Sequence, residues 1–153
     1  MSTYVVPCDV SAPLERVFEV FTELDKAAER IPGITELELL TEGPVGNGTR
    51  WRETRVMFKK EAVEEMWITG YEPPNRYTVE ANSHGMLYQT LFEFEPIESG
   101  TRVTWTFEGT PQTFGAKVMS LFFGFLFSGV MKRCMLDDMV ALKAACEGTG
   151  IEA

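Results

Sequence analysis

Hydrophobic and polar residues alternate with a period of two through the middle of the chain, from Ile34 to about Glu108. Turn-forming residues interrupt the alternation at regular intervals, among them Gly43-Pro44, Pro73-Pro74-Asn75 and Ser99-Gly100. Alternation of this kind, broken by glycine, proline and asparagine, is typical of consecutive antiparallel hairpins with one buried face. The pattern therefore predicts a run of antiparallel strands over this region.

The segment before the hairpins predicts one strand and two short helices. Residues 3–10 have the pattern of a strand. Ser11-Ala12-Pro13 followed by Glu15 is typical of a helix start with Ser11 as the N-cap. Apolar residues then recur at roughly helical spacing, and a second short helix is predicted over residues 25–31.

The segment after the hairpins predicts one long helix. A helical period begins after Pro111 and continues to about Cys146, and the pattern predicts a flexible tail over about residues 148–153. No repeat, linker or change of composition divides residues 1–153, so we expect a single domain. The order of strand, two short helices, hairpins and long helix predicts the α+β class.

The turn positions also predict which residues are paired across neighbouring strands. The predicted pairs are Arg55 with Glu64, Arg52 with Trp67, Ile68 with Val79, Val79 with Tyr88, and Phe94 with Val103. Opposed residues point to the same face of a sheet, and all these registers place the apolar side chains on one face. The long helix is the only large apolar element left to cover that face. A sheet of about seven strands curled around it would enclose a volume lined mostly by apolar groups.

Charge and cysteine content exclude several classes of function. Among the 153 residues the net charge is −9 and the pI is about 4.7, which argues against binding nucleic acid or an anionic membrane surface. One histidine, His84, and three cysteines, Cys8, Cys134 and Cys146, do not have the spacing of a metal site or a disulfide framework. We therefore expect no metal and no cofactor, and a reducing cytoplasmic location, since the N-terminus lacks the pattern of a signal peptide.

Several stretches resemble the SRPBCC superfamily, and within it the bacterial polyketide cyclase/dehydrase-like branch. They read VSAPLERVFEVFTEL, IPGI, GNGTRW, YEPPNRY and FEFEPIESGTRVTWT, and a terminal helix follows them. The resemblance covers roughly residues 3–147. It implies the helix-grip fold, in which a curved antiparallel sheet wraps around a long C-terminal helix, with a deep hydrophobic cavity for a small or lipid-like molecule. The motifs concern turns and strand ends, so the resemblance implies no single reaction.

Three functions remain open at this point. The first is binding or transport of a small hydrophobic ligand, such as a polyketide, quinone, fatty acid or sterol-like molecule. The second is a cyclase/dehydrase-type enzyme that uses acid/base chemistry in the same cavity. The third is an interaction module similar to the chaperone activators of the superfamily. A carrier needs mainly apolar walls, whereas an enzyme needs polar groups that converge on one bound atom.

The predicted inner face supplies the candidate site residues. Glu64, Arg55 and Tyr88 are the candidates for catalysis, although a structural ion pair between Arg55 and Glu64 is the more common explanation of such a pattern. His84 is a poor candidate because it falls in a predicted turn. The predicted ligand-binding residues are Trp51, Glu53, Arg55, Glu64, Met66, Ile68, Tyr77, Val79, Tyr88, Thr90, Phe92, Trp105, Phe107, Phe122 and Leu126.

An uncharged stretch of the long helix, Val118–Met131, is the most individual feature of the chain. It is shorter than the roughly 20 residues that a membrane-spanning helix needs. Small residues recur every fourth position from Ala116 to Ser128 and form one stripe, while phenylalanine and leucine occupy the other faces. Close packing on the sheet is the simplest explanation. We also hypothesise that this stretch gates the cavity and forms the contact of a homodimer.

Overall fold

The structure is a computed structural model that describes the backbone of residues 2–57, 60–83 and 85–148, and the side chains of residues 3–56, 61–83, 85–118 and 132–148. Its strands are β1 (Ser2–Val10), β2 (Ile34–Leu39), β3 (Arg50–Met57), β4 (Lys60–Glu72), β5 (Arg76–Ser83), β6 (Met86–Ile97) and β7 (Gly100–Pro111). Its helices are α1 (Leu14–Thr22), α2 (Ala27–Arg30) and α3 (Phe114–Glu147), and a 3-10 turn (Leu24–Lys26) joins the first two.

The strands form one antiparallel sheet of seven strands in the order β1-β7-β6-β5-β4-β3-β2. Consecutive strands from β2 to β7 are neighbours because a loop over residues 40–49 connects β2 to β3 and shorter connections join the others, whereas α1 and α2 carry the chain from β1 at one edge to β2 at the other. The second half of α3 packs on the same face of the sheet as α1, and its buried side chains there include Met135, Met139 and Leu142. The predicted α+β class, the helix-grip arrangement and the long C-terminal helix are confirmed.

The helix ends follow local capping chemistry with one departure from the prediction. The side chain of Thr113 accepts a hydrogen bond of 3.1 Å from the Ala116 backbone N–H and so caps the start of α3. Gly148 ends that helix at a φ of 70°, which glycine adopts without steric cost. The predicted N-cap role of Ser11 is wrong. Pro13 is the N-cap of α1, and the Ser11 N–H instead donates to the Glu147 carboxylate at 2.7 Å.

Two of the predicted registers are shifted by two residues. The Ile68–Val79 and Phe94–Val103 pairs are confirmed. However, the last pair of β3 and β4 is Met57 with Lys60, so Arg55 lies opposite Ala62 and not Glu64. The shift left every predicted inner-face side chain on the inner face, because side chains alternate with a period of two.

The same shifts correct two further pairs. Arg50, rather than Arg52, lies opposite Trp67, and its guanidinium is 4.6 Å from the centre of that ring on the outer face. Between β5 and β6, Val79 pairs with Thr90 instead of Tyr88. A hairpin turn one residue earlier or later moves the register by two, and the side-chain pattern cannot distinguish these positions.

A β-bulge between Ile68 and Gly70 brings Tyr71 onto the inner face as well, since the bulge inserts one residue into the alternation. The Tyr71 ring then contacts Phe18 of α1 with 5.6 Å between ring centroids.

In the part of the chain that the structure describes, no helix combines the length and the apolar character needed to cross a bilayer.

Candidate functional site

A cavity of about 370 Å³ lies between the inner face of the sheet, the α1–α2 segment and the second half of α3. Its walls are mainly aromatic and aliphatic. The structure brings twelve of the predicted ligand-binding residues to this wall: Trp51, Glu53, Arg55, Glu64, Met66, Tyr77, Val79, Tyr88, Thr90, Phe92, Trp105 and Phe107. Ile68 lies on the same face but does not reach the cavity, and the side chains of Phe122 and Leu126 lie outside the described residues. That these residues bind a ligand remains a prediction.

A charged cluster on β3 and α3 occupies one side of the cavity. Arg55 Nη2 lies 3.2 Å from Glu53 Oε2, and Arg55 Nη1 lies 3.0 Å from Asp138 Oδ2. Glu53 and Arg55 share a face because they are two residues apart on one strand, and Asp138 faces them from the helix. Both carboxylates are only 7% exposed. The predicted Arg55–Glu64 ion pair is therefore wrong, since the guanidinium pairs with Glu53 and Asp138.

Burial and charge act against each other in this cluster. Burial works to lower the pKa of Arg55, but the negative charges of Asp138 and Glu53 outweigh it and raise the pKa. Burial raises the pKa of Asp138, and the attraction of Arg55 offsets this only in part. The pKa values of Arg55 and Asp138 can both be raised because two carboxylates share one guanidinium. Arg55 therefore keeps its charge, while Asp138 takes up a proton more readily than an ordinary aspartate.

A second polar group lies on β4, β5 and β6. The Ser83 hydroxyl donates a hydrogen bond of 3.0 Å to Glu64 Oε1. Burial raises the pKa of Tyr88, and the negative charge of Glu64 raises it further. The Tyr88 ring stacks on Phe107 with 5.6 Å between centroids. Tyr88 is thus a protonated phenol near neutral pH, able to donate a hydrogen bond to a bound oxygen.

The remaining aromatic residues of the wall differ in their polar contacts. The Tyr77 hydroxyl donates to the backbone carbonyl of Phe21 at 3.3 Å, so its polar atom is already bound within the core. The indole N–H groups of Trp51 and Trp105 are buried, and no acceptor among the described residues reaches either of them. A buried donor without a partner is uncommon and calls for an explanation.

Several lining residues on the helices were not predicted from the sequence. Cys134, Met135, Asp138 and Leu142 project from α3, and Glu23 with Arg30 contributes an ion pair of 2.8 Å from the α1–α2 segment. Asp138 had a detectable signal. It stands beside Met139 and three residues after Met135, within the apolar stripe of the helix, where an ionisable residue is unusual.

No group of histidine, cysteine and carboxylate side chains within the described ranges could hold a metal ion. The three cysteines are free thiols. Burial raises the pKa of Cys146 to about 12, so this thiol is not a nucleophile near neutral pH. His84 lies outside the described residues.

The fold and the cavity define a helix-grip protein with an internal pocket. The model of the family of polyketide cyclase/dehydrase and lipid transport proteins matches residues 1–147. The chain therefore belongs to this family, and the resemblance to the SRPBCC superfamily is confirmed. No curated protein sequence matches the chain.

Solved structures share this fold at low sequence identity. TTHA0849 from Thermus thermophilus is 19% identical, with a TM-score of 0.76 over 95% of this chain and 97% of that one. The di-domain ARO/CYC StfQ from the steffimycin biosynthetic pathway is 15% identical, with a TM-score of 0.80 over 95% of this chain and 51% of that one. Ara h 8.0201 is 14% identical, with a TM-score of 0.70 over 95% of this chain and 97% of that one. At these identities the similarity shows the fold alone.

Proposed function

We propose that this protein binds or transports a small hydrophobic molecule in the cavity between the sheet and α3. The observation that supports the proposal best is the cavity itself, whose volume of about 370 Å³ and apolar walls suit a ring system or an acyl chain. Pockets for small molecules are typically concave, mainly apolar and furnished with a few polar groups. Polyketides, quinones, fatty acids and sterol-like molecules all fall within this class.

Native mass spectrometry of the freshly purified protein, followed by denaturing extraction, tests the proposal directly. We expect a mass above that of the chain alone and a small apolar molecule in the extract. The same spectrum reports whether the chain is a monomer or a dimer, which tests the homodimer proposed for Val118–Met131. Protein that is empty and that binds no apolar probe would contradict ligand binding.

Two adjacent residues offer a matched pair of variants. Ala62 lines the cavity, whereas Val63 is 55% exposed on the opposite face of the sheet. Ala62→Phe places a ring in the cavity and should weaken binding of a fluorescent apolar probe at least tenfold. Val63→Phe adds a ring of the same size outside and should leave binding unchanged. Equal effects of the two variants would show that the probe binds elsewhere, and circular dichroism confirms that both fold.

A second candidate function is a cyclase/dehydrase-type enzyme, which the ionisable groups in the cavity favour. Tyr88 would donate to a ketone oxygen, and Glu64 would remove a proton from the adjacent carbon. Arg55 would stabilise the enolate that forms. An enolisable poly-β-ketone incubated with the protein should yield a ring-closed product at a rate that Glu64→Gln reduces at least a hundredfold. A rate equal to that without protein would exclude this function for that substrate.

The third candidate, an interaction module, has less support. A domain of that kind would fill its interior with side chains and expose an apolar patch instead. The cavity between the sheet and α3 is not filled by side chains, and this favours the first two candidates over the third. A cytoplasmic location remains part of the proposal because three free thiols persist most easily in a reducing compartment.

A further inference from the structure

The charged side chains of the cavity wall do not balance. Four carboxylates of the sheet and α3 line the cavity, those of Glu53, Glu64, Glu80 and Asp138, and the same elements contribute one guanidinium, that of Arg55. The other lining cation, Arg30, pairs with Glu23 at 2.8 Å. The wall of the cavity therefore carries more negative charge than its arginines neutralise.

Glu80 accepts a hydrogen bond of 3.0 Å from the side-chain amide of Gln89. Glu64 has no cation among the described residues. Its one hydrogen-bond donor among the described residues is the neutral hydroxyl of Ser83, at 3.0 Å. Arg55 is oriented toward Glu53 and Asp138, with nitrogen–oxygen distances of 3.2 and 3.0 Å. One oxygen of Glu64 accepts from Ser83, and the carboxylate retains capacity for a further donor.

A neighbouring like charge sharpens this imbalance. Glu64 lies directly opposite Glu53 in the β3–β4 ladder. Directly opposed residues have Cβ atoms only about 4.5–5.5 Å apart. A ligand carboxylate or sulfonate at this end of the cavity would be a further negative charge beside buried Glu53 and partly buried Glu64, where charges are screened less than in bulk water.

Trp51 provides an independent indication that the ligand is polar here. It is 4% exposed, it lines the cavity, and its indole N–H finds no acceptor among the described residues. Trp51 lies opposite Met66, two positions from Glu64 on the same face. A carbonyl or ether oxygen would satisfy the indole donor, while a hydroxyl would satisfy Glu64.

We propose that the cavity selects uncharged ligands that carry a hydroxyl group toward Glu64, and that it discriminates against carboxylates and sulfonates. The inference rests on the proposed ligand-binding function and narrows it, since free fatty acids become poor ligands. Hydroxylated aromatic or alicyclic ring systems fit both the apolar wall and the polar end.

Two fluorescent probes that differ by a single sulfonate group test the charge preference. They are N-phenyl-1-naphthylamine, which is neutral, and 8-anilinonaphthalene-1-sulfonate. We expect the wild-type protein to bind the neutral probe at least tenfold more tightly. Because the probes also differ in hydrophobicity, the decisive quantity is the dissociation constant of the sulfonate divided by that of the neutral probe. Glu64→Gln should lower this ratio at least fivefold.

Glu65→Gln is the matched control, because Glu65 is the next residue of β4 and its side chain lies on the outer face near Arg50. It should leave the ratio within twofold of the wild-type value. If Glu64→Gln leaves the ratio unchanged, the charge preference is wrong, whereas the proposed ligand binding is not contradicted. Failure of the neutral probe to bind, or binding that Ala62→Phe does not weaken, would overturn the proposed function and this inference with it.

Discussion

The two ends of the inner sheet face are built from similar strands but packed differently. At the end covered by α1, the Phe18 ring contacts Tyr71, Tyr77 and Phe94 with centroid distances of 5.6, 5.8 and 5.2 Å. Neither Phe18 nor Phe94 reaches the cavity, so this end is filled. At the end covered by the second half of α3, the same face carries Glu53, Arg55 and Glu64 and remains hollow.

The comparison shows what keeps a cavity open in a domain with enough apolar surface to close it. Aromatic rings pack against one another without loss, so the α1 end closes. Closing the α3 end would remove the remaining solvent from Glu64, which is only partly buried and has no cation among the described residues, and the cost of dehydrating a carboxylate opposes the gain from the apolar contacts. The ionisable residues thus preserve the space as well as supplying its chemistry.

The filled end should be the more sensitive to loss of a side chain. Phe18→Ala removes a ring that is 5% exposed and contacts three others. We expect a loss of about 3–5 kcal/mol in the free energy of unfolding, because the transfer and cavity terms add. Urea denaturation followed by circular dichroism measures it, and a loss below about 1 kcal/mol would show that this end is not closely packed.

Arg55→Met tests the charged side of the hollow end. The change leaves Glu53 and Asp138 buried without their cation, and Arg55 is itself only 22% exposed. We expect a loss of about 2–3 kcal/mol at pH 7, somewhat less than for a fully buried pair. The loss should shrink at pH 5, because unpaired buried carboxylates take up protons. Arg102→Met, which breaks an exposed pair with Asp9, is the control and should have a much smaller effect.

Phe107→Ala tests the apolar wall of the same end. Phe107 lines the cavity and is only partly buried, so its removal enlarges a space that already exists. We expect a loss of about 1–2 kcal/mol, close to the transfer term alone. A loss as large as that of Phe18→Ala would contradict the distinction between a filled end and a hollow end.

The smallest effect concerns the pH dependence of Asp138. Burial raises its pKa in the folded protein, so its ionisation opposes folding. This penalty is fully present above the folded-state pKa and disappears as the pH falls below the unfolded-state pKa. Asp138→Asn removes it, so the variant should lose stability relative to the wild type as the pH falls from 7 to 4. The change should be on the order of 1 kcal/mol, and urea midpoints across this range measure it. Parallel profiles would show that Asp138 does not carry this penalty.

The sequence was sufficient for the architecture because periodicity reports directly on burial. Alternation over Ile34–Glu108 and the turn residues predicted the hairpins, and the inner face that carries Trp51, Phe92 and Trp105 is as predicted. The same alternation placed Glu53, Arg55 and Glu64 on the cavity side. These inferences need only local information, since the alternation within each strand indicates which of its side chains are buried.

The sequence predicted only some of the residue pairs across the fold correctly. The register of β3 and β4 was wrong by two residues because such a shift keeps every side chain on its face, and the pairing of Arg55 changed with it. Asp138 lies 83 positions from Arg55, and no local pattern relates the two residues. The packing of α3 on the sheet brings Asp138 and Arg55 together.

The amino-acid pattern by itself therefore determined the α+β class, the order of elements and most residues of the inner face, although not Tyr71, which the β-bulge places there. The tertiary structure alone decided that one end of that face is filled and the other hollow, that Arg55 pairs with Glu53 and Asp138, and that Glu64 faces the cavity without a cation among the described residues. The physical reason is one of range. Burial periodicity is encoded within each strand or helix, whereas the balance of charges in a cavity depends on which distant elements are packed around it.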